Sequence, residues 1–418
     1  MFIGLVGLLS LWYYFFCFFI FLLVLLGFWF NGSFLGLYFV GLYFDYLFFY
    51  ISFLVVLIFL FILGVSYSTS FIVTLLLFLS CFFSVMCCCV YNCVIFWGFY
   101  ELSILFVLFL LFFDSPYSDR FLAGWYLLCY FVFCGFPLLG CLIYFFYLNG
   151  SFNFLFWDYY FFDEAFFGLF VVFFLFVAKV PLPPFHSWLP VVHAEASSFV
   201  SVCLSGYIMK LGLVGILRFC FCLLGNGFLY FYFFCLFPFC VLIIFSCSEE
   251  LDYKRWLAML SVGHIMIGVL CLLSYDGLSG FCNSLLFGLG HGLSACFFFF
   301  FIYYLELIGG SRVIPFTNVV FGWGLSSSLV CLFGYMFVAS FPPFITFFIE
   351  VWLLFKFSIF SIVFFIWMLF YLFFSSLIPF CIFGSILGSR FSFNSSIFIY
   401  GSGFLYFFIG IMGLILLI

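Results

Sequence analysis

Two lysines, Lys179 and Lys210, lie inside apolar runs of the stretch VAKVPLPPFHSWLPVVHAEASSFVSVCLSGYIMKLGLVGILRF from Val177 to Phe219, with no acidic residue close to either. An ammonium at mid-bilayer costs about 2.5–3.5 kcal/mol on insertion scales, so a lysine kept there needs a function and a partner elsewhere in the chain. Proton or ion movement is the chemistry such a placement points to first. Glu101, between NCVIFWGFY and LSILFVLFLLFF, is the natural partner for Lys179, because buried charges persist when they are paired. Lys210 falls near the middle of its run and is read as a proton carrier. His264 in SVGHIMIG and His291 in GLGHGLSACF supply imidazoles, which accept and donate protons near neutral pH. Glu350 ends FPPFITFFIE, where a proline break frees backbone groups and leaves room for water beside a carboxylate. His186, His193 and Glu195, in the loop after Lys179, are read as shaping that loop or lining an entry; Lys254 and Lys356 complete the accessory positions, Lys356 either serving the route of Glu350 or snorkelling. Asp45, Asp114, Asp119, Asp158, Asp163, Glu164, Asp276 and Glu306 fall near run ends or connections, where solvation is ordinary.

These residues must be held by a membrane domain. The 418 residues are 70% hydrophobic and 6% charged, more apolar surface than a soluble fold can hide, so the whole chain reads as one all-α polytopic transmembrane domain. The net charge of -5 arises from few groups, and no basic run suggests nucleic acid. The 20 cysteines lie in apolar runs without metal-ligand spacing and read as small hydrophobes, the Cys87-Cys88-Cys89 triplet included. No phosphate loop, dinucleotide fingerprint, catalytic triad or metal cluster is present. The 85 Phe, with abundant Cys, Tyr and Leu, suit T-rich codons and hint at an organellar genome.

Runs long enough to cross about 30 Å of hydrocarbon begin near Phe2, Leu37, Ser70, Val94, Phe121, Phe166, Ser198, Gly227, Trp256, Leu278, Phe321, Ile359 and Ile397, giving about thirteen spans. The first reads as a span rather than a cleaved signal, since no basic segment precedes it. Pro181, Pro183 and Pro184 interrupt the sixth span, and Pro342 with Pro343 the eleventh, so both are expected to be discontinuous helices. Broken helices five spans apart suggest inverted five-helix repeats, approximately 70–225 and 226–388, flanked by 1–64 and 397–418. Arg120, Lys254 with Arg255, Arg312 and Arg390 fall in loops on one side, which the positive-inside tendency makes the matrix or cytoplasmic side, with the N-terminus there as well. Arg218 departs from the pattern and is expected to snorkel to the opposite surface.

The motifs carry a resemblance. AKVPLPPFHSWLPVVHAEA from Ala178 to Ala196, MKLGLVGILRF with its lysine thirty-one residues after Lys179, ELDYKRWLAMLSVGH ending at His264, HGLSA from His291 and FPPFITFFIE ending at Glu350 together resemble the antiporter-like subunits of NADH:ubiquinone oxidoreductase, respiratory complex I, and its chain 4 group in particular. The resemblance is strong from about Glu101 to Glu350 and weak outside. Family members commonly have fourteen helices with the acidic residue in the fifth; here it is expected in the fourth span, which the resemblance reads as the absence of one N-terminal helix. Val192 and Ser197 depart from the family's usual Ala and Pro without touching a carrier. The resemblance implies a proton-translocating subunit of the mitochondrial inner membrane in which Glu101 and Lys179 are the coupled pair, Lys210 the central carrier, His291 a relay and Glu350 the terminal carrier. It also implies that this chain binds no cofactor, FMN, iron-sulfur clusters and ubiquinone residing in other subunits, and that its partners are neighbouring membrane-arm subunits and lipids. A stand-alone cation/proton antiporter subunit and a structural spacer with an inactive channel are the competing readings. Both lysines and both glutamates being present speaks against the spacer.

Overall fold

A computed structural model describes residues 37–39, 42–65, 70–157, 165–220, 227–273, 278–314 and 325–388. The expected spans near Phe2 and Ile397, together with Asp158, Asp163, Glu164, Asp276 and Arg390, lie outside the described residues. Hydrocarbon offers no partner for backbone N–H and C=O groups, which forces each crossing segment to satisfy itself as a helix. Thirteen helices are described: α1 (Tyr46–Val65), α2 (Phe71–Cys89), α3 (Cys93–Asp114), α4 (Arg120–Asn149), α5 (Phe166–Lys179), α6 (Trp188–Glu195), α7 (Ser198–Phe219), α8 (Gly227–Ser246), α9 (Tyr253–Leu273), α10 (Leu278–Gly309), α11 (Leu325–Val338), α12 (Ile345–Phe360) and α13 (Ile362–Gly388). Among the described residues, nine are long and apolar enough to cross a membrane unaided. The other four form two broken pairs, α5 with α6 and α11 with α12, so eleven of the thirteen expected spans have a counterpart.

The second span starts later than its apolar run. Leu37–Phe39 and Leu42–Phe44 form a short antiparallel hairpin, and α1 begins only after Asp45, whose carboxylate accepts from the Phe48 N–H at 2.8 Å. That bond satisfies one of the four donors left open at a helix start and explains the boundary.

Both breaks occur at the prolines. α5 stops at Lys179, Pro181 follows, and the Trp188 indole opening α6 donates to the Ala178 carbonyl at 3.2 Å. α11 stops at Val338, and the chain turns through Ser340 to Phe344 before α12. A third irregularity was not expected: residues Leu204–Ile208 of α7 form a π turn directly ahead of Lys210, the Met209 N–H reaching back to Leu204 O. Such widened turns recur at functional sites, because they release the regular backbone pattern beside a working side chain.

The bundle is layered. All of the most apolar window of α7, 94% of that of α10 and 89% of that of α9 are buried, against 28% for α4 and 33% for α13. The three inner helices carry Lys210, His291 and His264. Glycines flanking His291 allow α10 to reach both neighbours: a Cβ on Gly292 would lie 2.8 Å from Gly206 O in the π turn, and one on Gly290 would lie 2.7 Å from Ile345 of α12.

Charges gather at the two ends of the bundle. At one end, three side chains from other elements cap successive carbonyls at the close of α6: Arg312 on Ala194 O, Ser115 on Glu195 O and Lys254 on Ala196 O, the last at 3.2 Å. Lys254 also meets Glu306 at 3.0 Å and the Tyr117 hydroxyl at 3.1 Å, while Arg312 binds Asp252 at 2.9 Å and Glu195 at 3.4 Å. Burial would lower the Arg312 pKa, but Asp252, Tyr117 and Glu195 outweigh it and raise it; burial pushes Asp252 up, with Arg312 opposing. Lys254 is therefore fully buried in the first turn of α9 rather than a loop residue, and Glu306 is an ion-pair partner rather than an ordinarily solvated acid. At the opposite end Arg218 does not snorkel. Its guanidinium donates to Val90 O at 2.6 Å and to Cys88 O, and pairs with Asp45 at 3.4 Å, because the unravelled end of α2 offers carbonyls that an arginine fork satisfies better than distant water. Asp45 is raised by its burial, with Arg218 pulling the other way.

Candidate functional site

The Glu101–Lys179 contact joins α3 to α5. Lys179 Nζ donates to Glu101 Oε1 at 2.5 Å, and each residue is 7% exposed. Lys179 occupies the last position of α5 because the proline break follows it, and a cation there also favours the negative end of that helix. Its ammonium lies 4.3 Å from the centroid of the Tyr100 ring, whose face adds a second attraction in a dry setting. Beside it is a cavity of about 20 Å³ lined by Lys179, Tyr100, Tyr130, Trp188 and, from α7, Ile208. That is room for about one water.

Lys210 has different company. It is fully buried and donates to the Ser205 carbonyl inside the π turn, and its Nζ lies 3.0 Å from Nδ1 of His291. A charged Lys210 donates to that nitrogen, leaving the ring proton of His291 on Nε2. The His291 and His264 rings are 5.7 Å apart between centroids. His264 Nδ1 lies 2.6 Å from the Tyr371 hydroxyl, which donates to Glu350 Oε1 at 3.0 Å. Tyr371 has one proton to give, so with that proton on Glu350 the imidazole Nδ1–H donates to the phenol oxygen. His264 Nε2 then presents a lone pair without a close hydrogen bond among the described residues, and the Val338 backbone carbonyl lies beside the ring. Ser340, in the break between α11 and α12, donates to the same Glu350 oxygen at 3.0 Å. Glu350 is 1% exposed and faces this polar interior.

The structure thus brings Lys210 to His291 and His264 through Tyr371 to Glu350 along one buried line, the two imidazoles lying side by side, and gives His264, an accessory candidate in the sequence, a central place. Tyr371 and Ser340 were missed. A tyrosine among 27 in so aromatic a chain carries no signal of its own, and Ser340 was detectable only as a hydroxyl beside the Pro342 break. Lys356 is not on the line: it sits over the Trp352 ring at 5.7 Å, on another face of α12 from Glu350. His193 is not a loop residue. It belongs to α6, is fully buried and stacks on Phe299 with centroids 5.0 Å apart. His186 lies half-buried in the turn before α6, and Glu195 at the end of α6 pairs with Arg312. Among the described residues, no group of His, Cys, Asp and Glu is arranged to hold a metal ion.

Residues 89–378 match the model of the family described as NADH:quinone oxidoreductase/Mrp antiporter, TM. The chain belongs to this family. The match spans the Glu101–Lys179 pair and every residue of the line. Curated relatives named NADH-ubiquinone oxidoreductase chain 4 include that of Ascaris suum, 29% identical over 68% of this chain and 68% of the relative, and that of Locusta migratoria, 36% identical over 49% and 46%. The relative from Caenorhabditis elegans is 30% identical over 62% of this chain and 61% of its own. The aligned stretches therefore cover about half to two thirds of those proteins. In fold the chain is similar to one in respiratory complex I from Thermus thermophilus, with a TM-score of 0.78 at 17% identity over 91% of this chain and 84% of that one. It is also similar to one in the Mrp complex from Dietzia sp. DQ12-45-1b, with a TM-score of 0.71 at 16% identity over 85% and 68%.

Proposed function

We propose that this chain is a proton-translocating, antiporter-like core subunit of mitochondrial NADH:ubiquinone oxidoreductase, coupling electron transfer in other subunits to proton movement through its own buried line. The observation that carries this reading is the run of hydrogen bonds from Lys210 to His291 and from His264 through Tyr371 to Glu350, with Lys210, His264 and His291 set on the bundle's inner helices. A proton on Lys210 passes to His291 Nδ1 as the ring releases its Nε2 proton. One water or a ring rotation carries it to the open Nε2 of His264. His264 then gives its Nδ1 proton to Tyr371 as Tyr371 gives its own to Glu350, so each group ends neutral or reset.

The Glu101–Lys179 pair acts as the control element. While Glu101 holds Lys179, the two charges cancel; when they separate, an uncompensated ammonium stands close to α7 and disfavours a second cation on Lys210. Electron transfer elsewhere in the complex supplies the movement. This chain performs no redox catalysis and binds no cofactor; FMN, iron-sulfur clusters and ubiquinone belong to other subunits. Its partners are adjacent membrane-arm subunits and lipids, in the mitochondrial inner membrane. The end holding Arg120, Lys254, Arg255 and Arg312 faces the matrix, as does the N-terminus, and 70–225 and 226–388 are inverted repeats. The test is isolation of the intact assembly: copurification with a flavin and iron-sulfur arm supports this reading, whereas a flavin-free complex exchanging sodium for protons would replace it with a stand-alone antiporter.

A further inference from the structure

Helix α4 lies beside the ion pair, and its backbone approaches the Glu101 carboxylate at Gly135. A Cβ added to Gly135 would lie 2.9 Å from Glu101 Oε1 and 3.0 Å from both Cδ and Oε2, closer than real side chains approach. The near-equal distances mean that the carboxylate lies against the glycine Cα, in the space that any other residue would fill. Trp97, one helical turn before Glu101 on the same face of α3, donates its indole N–H to Gly135 O at 2.8 Å. Glu101 therefore sits in a seat whose floor is the Gly135 backbone and whose position is fixed by the adjacent indole. Oε1 holds Lys179, while Oε2 is buried and, among the described residues, has no hydrogen-bond partner. A second hydrogen bond does not pin the carboxylate; backbone contact supports it from behind and leaves it free to turn.

We propose that Gly135 is a positioning residue for proton translocation. Its missing side chain seats the Glu101 carboxylate so that one oxygen engages Lys179 and the other stays uncommitted, which lets the pair open and close. The proposal rests on the reading of that pair as the control element. Other glycines of α4 do not share this place: a Cβ on Gly140 would meet nothing within 4 Å, and one on Gly124 would meet the Phe112 ring.

The experiment uses the assembled complex in sealed vesicles, with NADH:ubiquinone turnover and the proton-to-electron ratio read together and assembly checked on native gels. In Gly135→Ala the added methyl meets the movable end of a side chain, so the complex assembles, while turnover falls by up to about a hundredfold, in keeping with the cost of displacing a working group by about 1 Å, and the ratio falls with it. Gly140→Ala, carrying the same methyl on the same helix into open space, retains parental values. Shortening the acid in Gly135→Ala/Glu101→Asp relieves the overlap and recovers turnover relative to Gly135→Ala. Parental behaviour of Gly135→Ala, equal losses at Gly135 and Gly140, or failure of the shorter acid to recover turnover would each overturn the proposal. Glu101→Gln separates the two levels of inference: if it pumps normally, the control-element reading fails, whereas if it uncouples while Gly135→Ala does not, only the role of Gly135 fails.

Discussion

Lys179 and Lys210 are the same residue type, both buried, on helices that share the wall of one small cavity, yet their surroundings differ in kind. Lys179 faces a carboxylate at 2.5 Å and an aromatic ring at 4.3 Å, both of which favour its charge. Lys210 faces a backbone carbonyl and a neutral imidazole. Unit charges attract more strongly as the dielectric falls, so the contact between Lys179 and Glu101 is a charge–charge attraction that Lys210 does not have among its hydrogen-bond partners. Lys210 has an imidazole nitrogen 3.0 Å away and no carboxylate among its hydrogen-bond partners. On the proposed function, buried lysines do two jobs here, one holding charge in a separable pair and one passing a proton on.

The widest separation between the two regions should come from Glu101→Ala and Lys210→Ala. Removing Glu101 strands the Lys179 ammonium, a change that costs about 3–5 kcal/mol for a buried pair, so the variant complex should lose thermal stability and assemble poorly. Lys210→Ala removes a cation that has no carboxylate among its hydrogen-bond partners, so the complex should assemble while its proton-to-electron ratio in vesicles drops. A destabilised Lys210→Ala beside a stable Glu101→Ala would invert the contrast; a normal ratio in Lys210→Ala would remove that lysine from the obligatory path.

A smaller effect is expected inside the relay. Tyr371→Phe deletes the hydroxyl between His264 and Glu350 while keeping the ring that packs near Phe237, with centroids 6.2 Å apart. Packing is retained, so stability should change by about 1–3 kcal/mol, the cost of leaving buried polar partners unsatisfied. Coupled turnover should fall about a hundredfold, the lower part of the range for loss of a positioned proton-transfer group, with assembly intact. Unchanged coupling would mean that protons reach Glu350 without the phenol, and that Ser340 or water carries the last step.

The two regions were not equally legible in the sequence. A charge in an apolar run is conspicuous, so Glu101, Lys179, Lys210 and Glu350 stood out, and the prolines at 181, 183, 184, 342 and 343 located both helix breaks. Pairing also followed from cost, since two nearby spans each carried one unaffordable charge of opposite sign. Neutral connectors left no such mark. Tyr371 looks like any aromatic in the thirteenth helix, the π turn ahead of Lys210 has no periodic signal, and the place of Gly135 depends on how α4 lies against α3. The tertiary arrangement also corrected the ends of the bundle, where Arg218 and Glu306 looked like surface groups until helices remote in sequence brought Asp45 and Lys254 against them.

The smallest expected effect marks where the relay stops. Lys356 follows Glu350 on α12 by six residues, which at 3.6 residues per turn rotates it by about 240° onto another face. Its ammonium lies over the Trp352 ring at 5.7 Å, at the outer limit of a cation–π contact, while Glu350 faces Tyr371 and Ser340. Lys356→Ala should therefore cost about 0.5–1 kcal/mol of local stability and leave the proton-to-electron ratio at its parental value, whereas Glu350→Gln should lower it. Both variants belong in one preparation, because the prediction concerns their difference. If Lys356→Ala lowers the ratio as much as Glu350→Gln, the relay runs on along α12 and Glu350 is an intermediate station. The contrast between a line of neutral acceptors and a single charged pair would then give way to one between two regions that both use lysine charge to move protons.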